Sequence, residues 1–400
     1  MAISKVNYGN NVLLDLTGDT IKKEKLLRGF TAHDASGERI TGTMAIQESK
    51  SVIITENGTT IVTPDDGYES VKKVNVDVNV SGGFPNGTEW TQSNITSGDF
   101  KDTYNANGIW VACCSGSKGI YYSADGKVWT QSNITNERFY SVYNANGIWV
   151  ACGSGSNGLY YSIDGKIWTH SNITSGSFYS IYNANGIWVV GSNGLYYSID
   201  GKIWTQSNIT SNTFSYIYNA NGIWVACTSN DKGIYYSADG KAWTQSDITS
   251  GSFKTAHNAN GIWVACCSSS KGIYYSTDGK VWTHSNITNG SFKTVYNANG
   301  IWAACSSGGK GIYYSSDGKV WTHSNITSGS FYSIYNANGI WVVASEQNKG
   351  LYYSTDGKVW NQSNITSGYF YSIYNANGIW VACSNIISKG IYYSISWELS

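Results

Sequence analysis

The phrase Asn-Ala-Asn-Gly-Ile-Trp occurs eight times, starting at Asn105, Asn144, Asn183, Asn219, Asn258, Asn297, Asn336 and Asn375. The spacing is 39 residues throughout, except for 36 between Asn183 and Asn219. A fixed period near 40 marks one supersecondary unit repeated into a propeller or solenoid, because such a unit buries its apolar faces only against copies of itself. This repeat restricts the fold more than any other feature of the chain.

Residues 139–169 serve as the template. Phe139 to Tyr143 reads as a strand, and Asn144-Ala-Asn-Gly147 as a turn whose Asn-Gly pair suits the positive φ of a type I′ hairpin. Ile148 to Cys152 returns as a second strand, a Gly/Ser-rich loop leads to Leu159-Tyr-Tyr-Ser162, Asp164-Gly165 turns again, and Lys166 to Thr169 is the fourth strand. Four short antiparallel strands per repeat make one propeller blade. The middle strands are apolar or aromatic at successive positions, as a sheet covered on both faces requires. The Trp and Tyr residues are therefore read chiefly as packing between blades, with an aromatic binding ladder as the sharper alternative. With 45 Gly and 31 Tyr but only 2 Pro, the composition suits many strands joined by tight turns.

Closure follows from counting. The fourth-strand Trp recurs at 90, 129, 168, 204, 243, 282, 321 and 360, and the Tyr-Tyr strand also occurs eight times. Trp90 precedes the first full repeat, so the N-terminal side supplies the outer strand of the last blade and removes the free edges. The expectation is an all-β fold with an eight-bladed propeller at 89–400. Seven blades, and competition from Ser396-Trp397 for the closing place, are the alternatives.

Six of the eight cysteines (Cys113, Cys152, Cys227, Cys266, Cys305 and Cys383) share one repeat position, occupied by Gly191 and Ala344 in the other two units. One per blade, they read as small reduced packing residues rather than disulfides. No Cys/His spacing suggests a metal, and neither cofactor nor metal is expected. The 26 basic and 26 acidic residues cancel, so nothing draws the chain to nucleic acid, and no stretch has the length of a membrane span. Met1 to Leu16 lacks the pattern of a signal peptide, so the expected place of synthesis is a bacterial cytoplasm without signal-driven export.

Seven repeats carry Ser-x-Asp-Gly-x-x-Trp, with the aspartate at Asp125, Asp164, Asp200, Asp239, Asp278, Asp317 and Asp356. This turn resembles the Asp-box of sialidase-type and BNR propellers, one residue tighter. The resemblance implies a structural turn remote from any active centre, and the chemistry agrees, since a short carboxylate caps turn amides. Sialidase chemistry would require three arginines and a Tyr–Glu pair, whereas the chain has only Arg28, Arg39 and Arg138. Glutamates in the repeats are scarce, chiefly Glu137 and Glu346, and nothing places two acids as a glycosidase pair. His33, His170, His257, His284 and His323 form no catalytic or ligand cluster, and no catalytic residue is expected. The repeated Asn-Ile-Thr triplets read as strand-edge and turn residues rather than glycosylation acceptors.

Residues 1–80 differ in kind. Met1-Ala-Ile-Ser-Lys-Val-Asn-Tyr-Gly9, Leu27-Arg-Gly-Phe-Thr-Ala-His-Asp-Ala-Ser-Gly37 and Ile40-Thr-Gly-Thr43 resemble the N-terminal module of tail and fibre proteins of phages infecting Firmicutes. Ser51 to Thr59 and Gly67 to Val78 resemble the β segment that follows it. Residues 20–35 read as one short helix, Asn57-Gly58 as a hairpin and Val74 to Val80 as a half-buried strand. So small a module needs a partner surface, through docking or homo-oligomerisation. Residues 81–88 read as a linker.

Two blade faces follow from the topology. The uniform turns share one face, while the loops that differ between repeats share the other, which carries Lys118, Asn157, Asn193, Lys232, Lys271, Lys310, Lys349 and Lys389. Varied loops on a rigid scaffold are the usual seat of recognition, and drift of unconstrained loops gives the same pattern. The resemblance and the loops together imply a phage tail receptor-binding protein, docked to tail or baseplate through 1–80 and located in the virion. Its propeller would recognise a host-surface saccharide. A structural tail spacer and a glycan-cleaving depolymerase are the alternatives.

Overall fold

Eight separate four-stranded antiparallel sheets follow one another along the chain in a computed structural model. It describes residues 87–155, 157–346, 348–384 and 389–395, together with short strands among the first 86. In the first blade the strands are Phe100–Ala106, Ile109–Cys114, Ile120–Ser123 and Thr130–Gln131, from inner to outer. Inner strands of successive blades touch, and those of the first and eighth also touch, so the sheets close into an eight-bladed propeller. The seven-blade alternative is thereby excluded.

The outer strand of the eighth blade is Thr91–Gln92, paired antiparallel with Ile391–Ile395. Closure by the N-terminal side is as expected; Ser396 and Trp397 lie outside the described residues. The ring takes in Gly87, whose amide donates to Ser394 Oγ at 2.9 Å. It thus begins inside the segment read as linker.

Two boundaries differ from expectation. The hairpin turn is only Asn146-Gly147, with φ of 52° and 79°, the type I′ signature, so the first strand runs through Ala145. The fourth strand is Thr169–His170, without Lys166 to Trp168. Asp164 Oδ1 accepts the amides of Lys166 and Ile167 at 2.8 and 2.9 Å, which keeps them from the ladder.

Packing lies between the blades. Val111, Cys113 and Ile120 of the first blade are buried against Phe139, Trp149 and Trp168 of the second, and equivalent clusters recur around the ring. The second strand is buried at five consecutive positions, as expected of a sheet covered on both faces. All eight cysteines are free and buried, the shared position lying within these layers.

A second tie joins each blade to the next. Asn133 Oδ1 accepts the amide of Trp168 at 2.8 Å, and its Nδ2 donates to the Trp168 carbonyl at 2.9 Å. The latch recurs around the ring and spans the seam, where Asn364 holds Trp90. This is the work of the asparagine in the Asn-Ile-Thr triplets. Gly119, which opens the third strand, sits at φ 71°, and a Cβ there would lie 1.8 Å from the Ile134 carbonyl oxygen. Glycine is therefore required at this point of each repeat.

Residues 1–83, with 397–400, form a separate unit. Its described strands pair as Lys5–Tyr8 with Asn11–Asp15 and Thr31–His33 with Arg39–Thr41, both antiparallel. Ala45–Gln47 pairs with Tyr68–Val71, and Lys50–Ile54 with Val74–Val78, both parallel. Thr31–His33 replaces the end of the expected helix, the β-branched Thr31 and, opposite, Ile40 and Thr41 favouring a ladder. The rest of that helix and the Asn57-Gly58 hairpin lie outside the described residues.

Candidate functional site

Each inner strand starts on the varied face and ends at the Asn-Gly turn of the uniform face, so its residues stack in rings down the central channel. In seven blades the strand opens with a buried Phe, followed by a bulge that turns the next residue into the channel; in blade three Phe178 and Tyr179 precede the strand Ser180–Ala184. That first ring comprises Lys101, Tyr140, Tyr179 and Ser215 in blades one to four, then Lys254, Lys293, Tyr332 and Tyr371. They surround the mouth of a cavity of about 520 Å³. This lies within the range of roughly 300–1,000 Å³ typical of small-ligand sites.

The mouth is uneven in charge. On one side Lys101 pairs with Asp99 at 3.2 Å and lies 3.5 Å above the centre of the Tyr371 ring. Tyr371 donates to the Tyr332 hydroxyl at 3.1 Å, Lys293 lies 3.2 Å above Tyr332, and Lys293 pairs with Glu346 at 3.2 Å. This arc of blades six, seven, eight and one is internally neutralised. Across the mouth, Tyr140 and Tyr179 stack with centroids 5.5 Å apart. Lys254 follows beyond Ser215, its ammonium in no hydrogen bond or ion pair among the described residues. Burial holds the Lys254 ammonium below its ordinary pKa. Burial lowers Lys293 too, opposed by Glu346 and reinforced by the charges of Lys254 and Lys101, so the three lysines share one space.

One step deeper, Asp102 replaces the Ser or Thr of most other blades. Its Oδ1 accepts from the Thr103 amide (2.9 Å) and Ser372 Oγ (3.3 Å). Oδ2 accepts from Ser141 Oγ (2.9 Å) and the Val142 amide (3.1 Å). The carboxylate staples blades eight, one and two. Burial raises its pKa to about 6 against the lowering effect of these bonds.

Below it lies a closed aromatic collar of Tyr104, Tyr143, Tyr182, Tyr218, His257, Tyr296, Tyr335 and Tyr374, with neighbouring centroids from 4.7 to 5.3 Å apart. Burial pushes His257 down to about 4, so it is neutral there. The next residue in each strand is the first Asn of the repeated phrase, and all eight side-chain nitrogens are buried without a partner.

The eight loop residues singled out from the sequence are spread one to a blade on the varied face. Lys118, Lys271, Lys310 and Lys389 reach back to Ser97, Ser250, Asn289 and Ser367 at 2.8 to 3.0 Å, bracing adjacent loops. The carbonyls of Lys232 and Lys349 accept from Gln245 and Gln362, and Asn157 donates to the Arg138 carbonyl. Asn193 forms an isolated bridge with Thr213. The turn aspartates accept the amides that follow them. In Asp125, bonds from the Val128 and Lys127 amides and Ser123 outweigh burial and lower the carboxyl pKa. Among the described residues, no group of three His, Cys, Asp or Glu is placed to hold a metal.

Sequence reasoning missed the channel mouth. Its signal was present, since the residue after the inner-strand Phe changes among Lys, Tyr and Ser from repeat to repeat, just ahead of the invariant Asn-Ala-Asn-Gly turn.

No protein-family model matches the sequence, and a search of curated proteins finds no match. Solved propellers are similar in fold. The computationally designed Ika8 protein aligns with a TM-score of 0.62 and 10% identity over 77% of this chain and 100% of its own. Sqt1 of Saccharomyces cerevisiae gives 0.57 and 10% over 78% and 99%. BamB of Moraxella catarrhalis gives 0.56 and 9% over 78% and 98%. Identities this low carry the fold and nothing more.

Proposed function

We propose that this chain is a recognition protein whose propeller binds a bacterial-surface saccharide on its varied face. Its first 80 residues would attach it to a phage tail or baseplate, as their resemblance to tail-protein modules suggests. The carrying observation is the channel mouth, where tyrosines and lysines alternate from blade to blade around a ligand-sized cavity. Aromatic faces and amine donors are what a polar ring with apolar faces needs. Full-length protein should be retained on host cells and on polysaccharide purified from them. Recovery of folded protein entirely in the unbound fraction would contradict the reading.

A depolymerase is the second reading, favoured by the raised pKa of Asp102, since acids tuned toward neutrality gather at active sites. Against it, both Asp102 oxygens already accept two bonds each, and Asp99 and Glu346 are committed to lysines. On the binding reading, polysaccharide keeps its chain length after incubation; shortening that disappears in Asp102→Asn would establish cleavage instead.

A further inference from the structure

Two departures from eightfold repetition lie in adjacent blades. In blade three, strands Ile187–Ser192 and Gly194–Ser198 are joined by Asn193 alone, where blade one uses five residues. Blade four carries Ser215 at the mouth position that holds Tyr or Lys in the other blades, its tyrosine having moved one step deeper to Tyr216. Blade five carries Lys254. A shortened rim loop and a small side chain in adjacent blades lower the wall of the mouth there. The gap is flanked by Tyr179, 36% exposed, on one side and by Lys254 on the other.

We propose that this notch is a subsite for an anionic sugar: Lys254 binds a carboxylate or phosphate group, and Tyr179 packs on the ring that carries it, in the space Ser215 leaves. The inference rests on the saccharide reading above and gives it a place and a chemical class. Among the described residues, Lys101 and Lys293 have carboxylate partners and Lys254 has none. A cation held in a cavity away from bulk water gains most from an anion that brings its own charge, and charge-assisted bonds are about twice as strong as neutral ones. Tyr179 keeps its partner Tyr140 behind it, so its outer face is backed and free to receive a ring.

The test is calorimetry of the full chain with glucose 1-phosphate, glucuronate and glucose. Wild type should bind one or both charged sugars at least about tenfold more tightly than glucose. Phosphate and carboxylate preference are separated by the first two. Lys254→Met should abolish that preference, and Ser215→Tyr should block all three sugars. Lys127→Met, in a turn of the opposite face, should change nothing. Thermal melts confirm folding, and if Ser215→Tyr does not fold, Lys254→Met decides alone. Equal affinity for the three sugars, no binding of either charged sugar, or preference surviving Lys254→Met overturns the subsite. If the preference survives while full-length protein is still retained on polysaccharide, surface recognition stands and only this placement falls. Loss of preference in Lys254→Met without such retention leaves the subsite and removes the surface role.

Discussion

Small departures from the repeat are natural experiments at single positions. In the latch, seven blades use asparagine, whose amide group both accepts from and donates to the next Trp backbone. Blade four uses Asp247, whose two oxygens accept from the Trp282 amide of blade five at 3.0 and 3.2 Å and cannot donate to its carbonyl. Asp247→Asn restores the missing donor and should stabilise the protein by about 1 kcal/mol in urea unfolding. An unchanged or lower midpoint would show that the second bond contributes nothing.

Asp102 makes a pH-dependent prediction. Its folded-state pKa, about 6, lies above its ordinary value of 3.8, so the folded protein binds the proton more tightly. The stabilisation is complete below about pH 4 and is lost as pH rises through about 6. Asp102→Asn, which cannot ionise, should match wild type near pH 4. Above pH 7 it should be more stable by up to about 3 kcal/mol. A gap independent of pH between 4 and 8 would contradict the assignment. The uncharged hydroxyls and buried thiols around this carboxyl supply no compensating cation.

At the scale of elements, the blade was legible because its turns are built from local chemistry. Asn-Gly takes two positive φ values, and aspartate caps the amides that follow it, so both turns could be read from adjacent residues. The fourth strand was misplaced because Asp164 withdraws two amides from the ladder and Asn133, 35 residues upstream, fixes Trp168. A partner that distant leaves no mark on the strand itself. The channel mouth escaped for the same kind of reason: eight residues 36 or 39 apart meet only once the ring is closed. The closing element gives its own test. Asn364→Ala removes the latch onto the N-terminal closing strand, and Asn133→Ala an equivalent latch onto a strand continuous with its own blade. Both should cost about 1–3 kcal/mol. Only Asn364→Ala should speed amide exchange selectively in 90–93 and 391–395, and matching exchange patterns would show that the seam is no weaker than any other junction.

At the scale of the whole molecule, the two faces divide the labour. The most repeated residues, Asn-Ala-Asn-Gly-Ile-Trp and the capped aspartates, build the uniform face and the walls between blades. The chain has no net charge to draw it toward a polyanion, so the proposed recognition rests on local arrangement. That arrangement lies where the copies disagree, at the inner-strand position around the mouth and above all in blades three to five. The most direct measurement is hydrogen–deuterium exchange of the full-length chain with and without purified surface polysaccharide. Slower exchange is expected in 179–183, 213–218 and 252–256, with the Asn-Gly turns unchanged; protection of the uniform face, or none anywhere while the polysaccharide is bound, would contradict recognition at the channel mouth.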